Sequence, residues 1–149
     1  MVAVGEKALD FELKDGNGNS VKLSNFKGKK VLLAFFPFAF SPVCTDEMSC
    51  FQMDMEQFKG KGVQILGISI DSHWANKAFA EKLGVSFPLL SDFNKKTTTD
   101  YGVLREDGFA NRAYFLIDEK GTIRYKHVMP TPGQKLDNAE LLREVRQSR

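Results

Sequence analysis

Two nearly unbroken apolar runs, Val31–Phe36 and Val63–Ile70, constrain this chain more than any other feature. A strand with one face in water alternates apolar and polar residues. A run that is apolar at every position needs cover on both faces. Between the runs, Cys44, Met48, Phe51, Met55 and Phe58 recur at spacings of four, three, four and three. That is one face of an amphipathic helix, and Gly60 is a suitable stop. Strand, helix and strand make a βαβ unit with parallel strands. Pro37 lacks the N–H a central ladder requires, so the first strand should end there.

The remaining segments fit around that unit. Leu9, Phe11 and Leu13 alternate with Asp10, Glu12 and Lys14, and Asp15-Gly16-Asn17-Gly18 leads back into Val21–Leu23. This predicts an N-terminal β-hairpin. Asp71 or Ser72 can cap a helix over His73–Leu83, closed by Gly84. Phe87–Leu90 is a short strand. Tyr114–Ile117 and Thr122–Val128 flank Asp118-Glu119-Lys120-Gly121 as a second hairpin. Asp137 followed by Glu140 resembles a capping box and opens a helix through Val145. The order predicts an α/β fold with a central mixed β-sheet, helices on both faces, and residues 1–149 as one domain.

Composition narrows the function classes. Net charge is +2, and the basic residues are scattered apart from Lys27-Gly28-Lys29-Lys30 and the tail Arg143–Arg149. Both clusters read as solvated surface, so no nucleic-acid partner is expected. No stretch approaches the roughly 18 apolar residues of a membrane span, and Met1–Asp10 has no signal-peptide pattern. The expected location is cytoplasmic. There, two cysteines point to catalysis or metal binding ahead of a structural disulfide. His73 and His127 are the only histidines, and they lack ligand spacing relative to each other or to the cysteines. No metal or cofactor is expected. Trp74, a single tryptophan on a helix, reads as core. Gly16-x-Gly18 is a turn, since no phosphate-binding helix follows it.

The chemically informative stretch is Phe35-Phe36-Pro37-Phe38-Ala39-Phe40-Ser41-Pro42-Val43-Cys44-Thr45-Asp46-Glu47. A strand ends, a loop with two prolines follows, and Cys44 falls in the first turn of a helix. Unbonded amide hydrogens and the positive end of the helix dipole gather there, and both favour a thiolate, the nucleophilic form. The plainer reading makes Cys44 a small buried hydrophobe on the apolar stripe.

Pro37-x-x-x-Ser41-x-x-Cys44 resembles the active-site pattern of the peroxiredoxin family: proline, three residues, threonine or serine, two residues, cysteine. The likeness extends to Phe35-Phe36 and Thr45-x-Glu47, to Ile68-Ser69-Ile70-Asp71-Ser72, to Phe87-Pro88-Leu89-Leu90-Ser91-Asp92, and to Ala110-Asn111-Arg112-Ala113-Tyr114-Phe115-Leu116-Ile117-Asp118. It is nearest to the one-cysteine type E alkyl hydroperoxide reductases and the Q-type peroxiredoxins (bacterioferritin comigratory proteins). The resemblance implies a thioredoxin-like fold and a thiol-dependent peroxidase acting on hydrogen peroxide and organic hydroperoxides. Cys44 would be the peroxidatic thiolate, oxidised to a sulfenic acid. Ser41 would hold the peroxide through its hydroxyl, Pro37 would shield the sulfur, and Arg112 would stabilise the anionic groups. Glu47 would orient Arg112. Each has a bland alternative: Ser41 as a helix N-cap, Pro37 as a loop stiffener, Arg112 as a solvated strand end, Glu47 as a dipole partner.

Cys50 is a candidate resolving cysteine. Q-type relatives often carry one five residues after the reactive cysteine, where this chain has Ser49. Six residues of intact helix rise about 9 Å, beyond the roughly 7 Å that a disulfide spans between Cα atoms. The helix would have to unwind first. Otherwise an external reductant, of thioredoxin or glutaredoxin type or a low-molecular-weight thiol, would resolve Cys44. The resemblance implies a monomer or a homodimer. Two other readings stay open: a thioredoxin-like dithiol–disulfide oxidoreductase, for which Cys44 lacks a Cys-x-x-Cys partner, and a non-catalytic redox sensor or holdase.

Overall fold

The computed structural model describes residues 2–147. Seven strands form one mixed sheet: β1 (Glu12–Lys14), β2 (Ser20–Lys22), β3 (Lys30–Phe35), β4 (Val63–Ser69), β5 (Leu89–Ser91), β6 (Ala113–Ile117) and β7 (Ile123–Val128). Their spatial order is β2-β1-β5-β4-β3-β6-β7. The three strands β3, β4 and β5 run parallel, with Lys30 opposite Val63 and Gly67 opposite Leu89. All other pairings are antiparallel. This is the mixed sheet with an N-terminal hairpin that the residue pattern implies.

The unbroken apolar run explains why β3 lies between β4 and β6. Leu32, Ala34 and Phe36 join one core cluster, while Val31, Leu33 and Phe35 join the other. The first cluster is closed by helices α1 (Pro42–Met53), α2 (Met55–Gly60) and α3 (His73–Leu83), together with the C-terminal helix (Asn138–Gln147). The second is closed by Val2 and Phe11, by Leu23 of a short 3-10 helix, and by Tyr101 and Val103. Helical cover is thus heavier on the first face. Helix α3 starts and stops as its signals dictate: Ser72 Oγ accepts from the Ala75 N–H, and Gly84 takes a left-handed conformation at φ 69°. Among the described residues, no helix is long and apolar enough to cross a membrane.

Three details depart from the sequence reading. The helix expected from Cys44 to Gly60 is broken at Asp54, whose ψ of 12° tilts the chain. Asp54 Oδ1 accepts from Gln57 Nε2 at 3.3 Å, and Oδ2 from Asn138 Nδ2 at 2.9 Å. Short carboxylates that find such partners compete with helix continuation. The apolar stripe survives the break, since Met55 and Phe58 stay buried. A further short helix, α4 (Lys96–Asp100), has no apolar period to betray it. It is organised by buried Asp92, which accepts from the Thr98 N–H and hydroxyl, both at 2.6 Å. The C-terminal helix is accordingly α5. Trp74 is not core: it is 72% exposed, and its ring lies tilted against that of His73 with centroids 4.0 Å apart.

Beneath α1 the sheet leaves no room for a side chain at Gly67. A Cβ there would meet Leu89 Cδ2 at 2.6 Å and Phe36 Cε1 at 3.3 Å, with Met48 Sδ at 3.6 Å. Gly67→Ala should therefore overpack the core and destabilise the fold by about 1–3 kcal/mol, read from the midpoint of urea unfolding.

Candidate active site

The site begins where β3 stops. Phe36 donates its N–H to the Ile68 carbonyl at 2.9 Å, and Pro37, which has no N–H to give, is buried as the chain leaves the sheet. The loop is then anchored to the end of β4. Asp71 Oδ2 accepts from the Ala39 N–H and from Ser69 Oγ, both at 2.8 Å. Asn76 on α3 bonds Ser69 Oγ and the Leu90 carbonyl, so one polar network fixes loop, strand and helix together. Phe40 lies at φ 69°, a region that bulky residues rarely occupy. Its ring packs on Phe79 at 5.1 Å, which holds the turn in place.

That turn aims the chain into α1. Ser41 takes the extended N-cap conformation, Pro42 occupies the first helical position, and Cys44 follows within the first turn. The Ser41 hydroxyl does not cap the helix. It donates to the Phe38 carbonyl at 2.9 Å. Cys44 is fully buried on the apolar side of α1.

Arg112 arrives from the neighbouring strand, one residue before β6, which pairs with β3. Its main chain is pinned by its neighbour and by the segment after β7. Asn111 Oδ1 accepts from the Arg112 N–H at 2.9 Å, and the Met129 N–H donates to the Arg112 carbonyl at 2.9 Å. The guanidinium then works as a fork. Nη2 donates to Cys44 Sγ at 3.0 Å, Nη1 to Glu47 Oε1 at 2.6 Å, and Nε to the Pro132 carbonyl at 3.1 Å. Arg112 and Glu47 are 1% and 2% exposed, so Arg112 is no solvated strand end. The second Glu47 oxygen, Oε2, accepts from the Tyr114 hydroxyl, which itself accepts from the Leu136 N–H at 3.1 Å.

Burial pushes the Glu47 carboxyl above its ordinary range, although Arg112, Tyr114 and Lys135 each pull it down. Both of its oxygens face donors, an arrangement the ionised carboxylate satisfies fully. For Arg112, burial acts to lower the pKa, but Glu47 and Cys44 outweigh it and the net direction is up. Tyr114 is held well above the ordinary phenol range by burial and then by Glu47, so it stays a neutral donor. The result is a fixed cation with one edge matched by a carboxylate and another turned on a sulfur. This is the geometry that stabilises a thiolate and charge developing beside it.

The structure thus brings both Cys44 and Glu47 into direct contact with Arg112. Ser41 and Pro37 lie in the loop leading to Cys44. Cys50 sits apart and half-buried, with Sγ 4.0 Å from both Asp46 Oδ1 and Lys135 Nζ. Both cysteines are free thiols. Among the described residues, no cluster of His, Cys, Asp and Glu could hold a metal ion. The sequence reading overlooked Tyr114, Asp71 and Asn111, and the segment from Met129 to Leu136. A tyrosine in an apolar strand was a usable signal, because a buried hydroxyl needs a partner. Contacts between separate segments, such as Pro132 with Arg112, leave no local pattern.

The model of the AhpC/TSA family matches residues 4–126. Peroxiredoxin-2 of Macaca fascicularis is 38% identical over 148 residues, covering 91% of this chain and 75% of its own length. The chloroplastic peroxiredoxin Q of Triticum aestivum is 37% identical over 126 residues, 83% of this chain and 58% of its own. Among solved structures, the AhpC of Enterococcus faecalis superimposes with a TM-score of 0.92 at 29% identity, covering 99% of this chain and 93% of that one. The peroxidoxin BcpB of Mycobacterium tuberculosis gives 0.88 at 28% identity, covering 98% and 97%.

Glu47→Ala should cost about 3–5 kcal/mol of stability, because it leaves the Arg112 charge buried and unpaired. Urea unfolding of the reduced protein measures it. A surface carboxylate replaced the same way, such as Glu106, should change little.

Proposed function

Since the chain belongs to the AhpC/TSA family of peroxiredoxins, which are thiol-dependent peroxidases, we propose that Cys44 is the residue that attacks the peroxide. The observation that supports this most strongly is the Arg112 Nη2 contact with Cys44 Sγ at 3.0 Å in the first turn of α1. The Cys44 thiolate displaces one oxygen of a hydroperoxide. The S–O bond forms as the O–O bond breaks, and the departing alkoxide or hydroxide leaves as an alcohol or water after gaining a proton. Cys44 is left as a sulfenic acid. Arg112 carries the charge through this exchange. Ser41 holds the peroxide: its hydroxyl donates to Phe38, which leaves its lone pairs to accept the peroxide O–H. Pro37 excludes water from the sulfur, and Glu47 fixes the fork of Arg112.

We read hydrogen peroxide and organic hydroperoxides as substrates and a thioredoxin- or glutaredoxin-type protein or a small thiol as the reductant, in a cytoplasmic monomer or homodimer. One sheet shared by all seven strands agrees with a single domain over residues 1–149. Cys44→Ser should abolish peroxide consumption with dithiothreitol as reductant while leaving the far-ultraviolet circular dichroism unchanged. A variant that keeps a tenth or more of the parent rate would remove Cys44 from its role.

Cys50 has a specific observation in its favour as the resolving thiol: it shares α1 with Cys44, and its half-buried free sulfur lies 4.0 Å from Lys135 Nζ. Bond formation requires α1 to open, since the two cysteines share one helix. Protein treated with one equivalent of peroxide should then lose two mass units, both free thiols and part of its helical signal. A gain of 16 mass units on Cys44 with Cys50 still free would assign resolution to an external thiol.

A further inference from the structure

We propose that Tyr114 is a positioning residue of the peroxidase reaction, acting on Cys44 through Glu47 and Arg112. The inference rests on the assignment of Cys44 above and adds the group that sets the geometry of its partner. Glu47 has two oxygens and one cation to serve. Oε1 takes Arg112 Nη1 at 2.6 Å, and without a second donor Oε2 would be buried and unmatched. The Tyr114 hydroxyl supplies that donor. It is fixed in turn by the Leu136 N–H at 3.1 Å, so it cannot rotate away without losing a second bond. The carboxylate is therefore held at both oxygens. Its plane, and with it the plane of the guanidinium fork, is set by β6 and by the segment before α5 together. Arg112 Nε on the Pro132 carbonyl ties the same segment to the fork at a second point.

The charged and titratable groups around Glu47 are few. Cys44 shares its helix, Arg112 and Tyr114 approach from the sheet, and Lys135 from the segment before α5. His127 lies opposite Tyr114 in the β6–β7 register. Taking away the Tyr114 hydroxyl removes one of the influences that hold the Glu47 carboxyl down. Protonation of Glu47 should then reach further toward neutral pH and release the fork over a wider acid range.

The test is single-turnover oxidation of Cys44 by hydrogen peroxide, followed by stopped-flow fluorescence across pH in four proteins: parent, Tyr114→Phe, Glu47→Gln and the double variant. Tyr114→Phe should slow oxidation roughly tenfold at its plateau, the rate equivalent of one lost hydrogen bond to a charged group. The acid limb of its profile should move to higher pH. Adding Tyr114→Phe to Glu47→Gln should change neither rate nor limb further, because the hydroxyl acts only through the carboxylate. The same set in a His127→Gln background separates any contribution of that histidine. A purely structural tyrosine would lower the unfolding midpoint but leave the acid limb in place, and that result overturns the proposal. So does an effect that multiplies with that of Glu47→Gln. The parent rate is a separate check: a parent that fails to consume peroxide refutes the Cys44 assignment itself.

Discussion

A buried charge pair governs this molecule. Arg112 and Glu47 meet at 2.6 Å with almost no water, one from the edge of β6 and the other from α1. Such a pair gives little net stability over apolar packing, and it is costly to break. Its presence therefore disciplines everything around it. The guanidinium finds Cys44 and the Pro132 carbonyl, and the carboxylate finds Tyr114. Among the described residues, no buried side-chain nitrogen or oxygen lacks a hydrogen-bond partner. A polar cluster so completely matched holds one arrangement, and that arrangement points a cation at a sulfur.

A second network does the same for the backbone that leads into Cys44. Asp71, Ser69 and Asn76 bind the loop of Ala39 to the end of β4 and the start of α3. Phe40 keeps its unusual backbone angle because the loop is held by these bonds on one side and by Phe79 on the other. Strain of this kind persists only where the surroundings over-determine it. Thiol and cation thus reach each other from independently fixed supports.

Local pattern revealed much of this. The apolar runs identified β3 and β4, periodicity identified the burial of Cys44, Met48 and Phe51, and Ser72 with Gly84 bounded α3. The approach of Arg112 to Cys44 entered through resemblance, since residues 68 positions apart share no local signal. What stayed hidden has two physical causes. The break at Asp54 and the bond from Tyr114 to Glu47 involve partners 84 and 67 residues away, whereas the helix built on Asp92 is held by a side chain bonding to nearby backbone, with no apolar period to announce it. Tertiary partners of the first kind override propensity without altering it.

The segment from Met129 to Leu136 gives the site a place in time as well as in space. The chain is made from its N-terminus, and Cys44 leaves the ribosome well before Arg112, and Arg112 before Pro132 and Leu136. A nascent chain that has already folded α1 still carries an unguided thiol. Only when the segment beyond β7 has been made do the Pro132 carbonyl and the Leu136 amide close around Arg112 and Tyr114. A chain cut just after β7 would keep every strand of the sheet and lack the clasp that aims its cation.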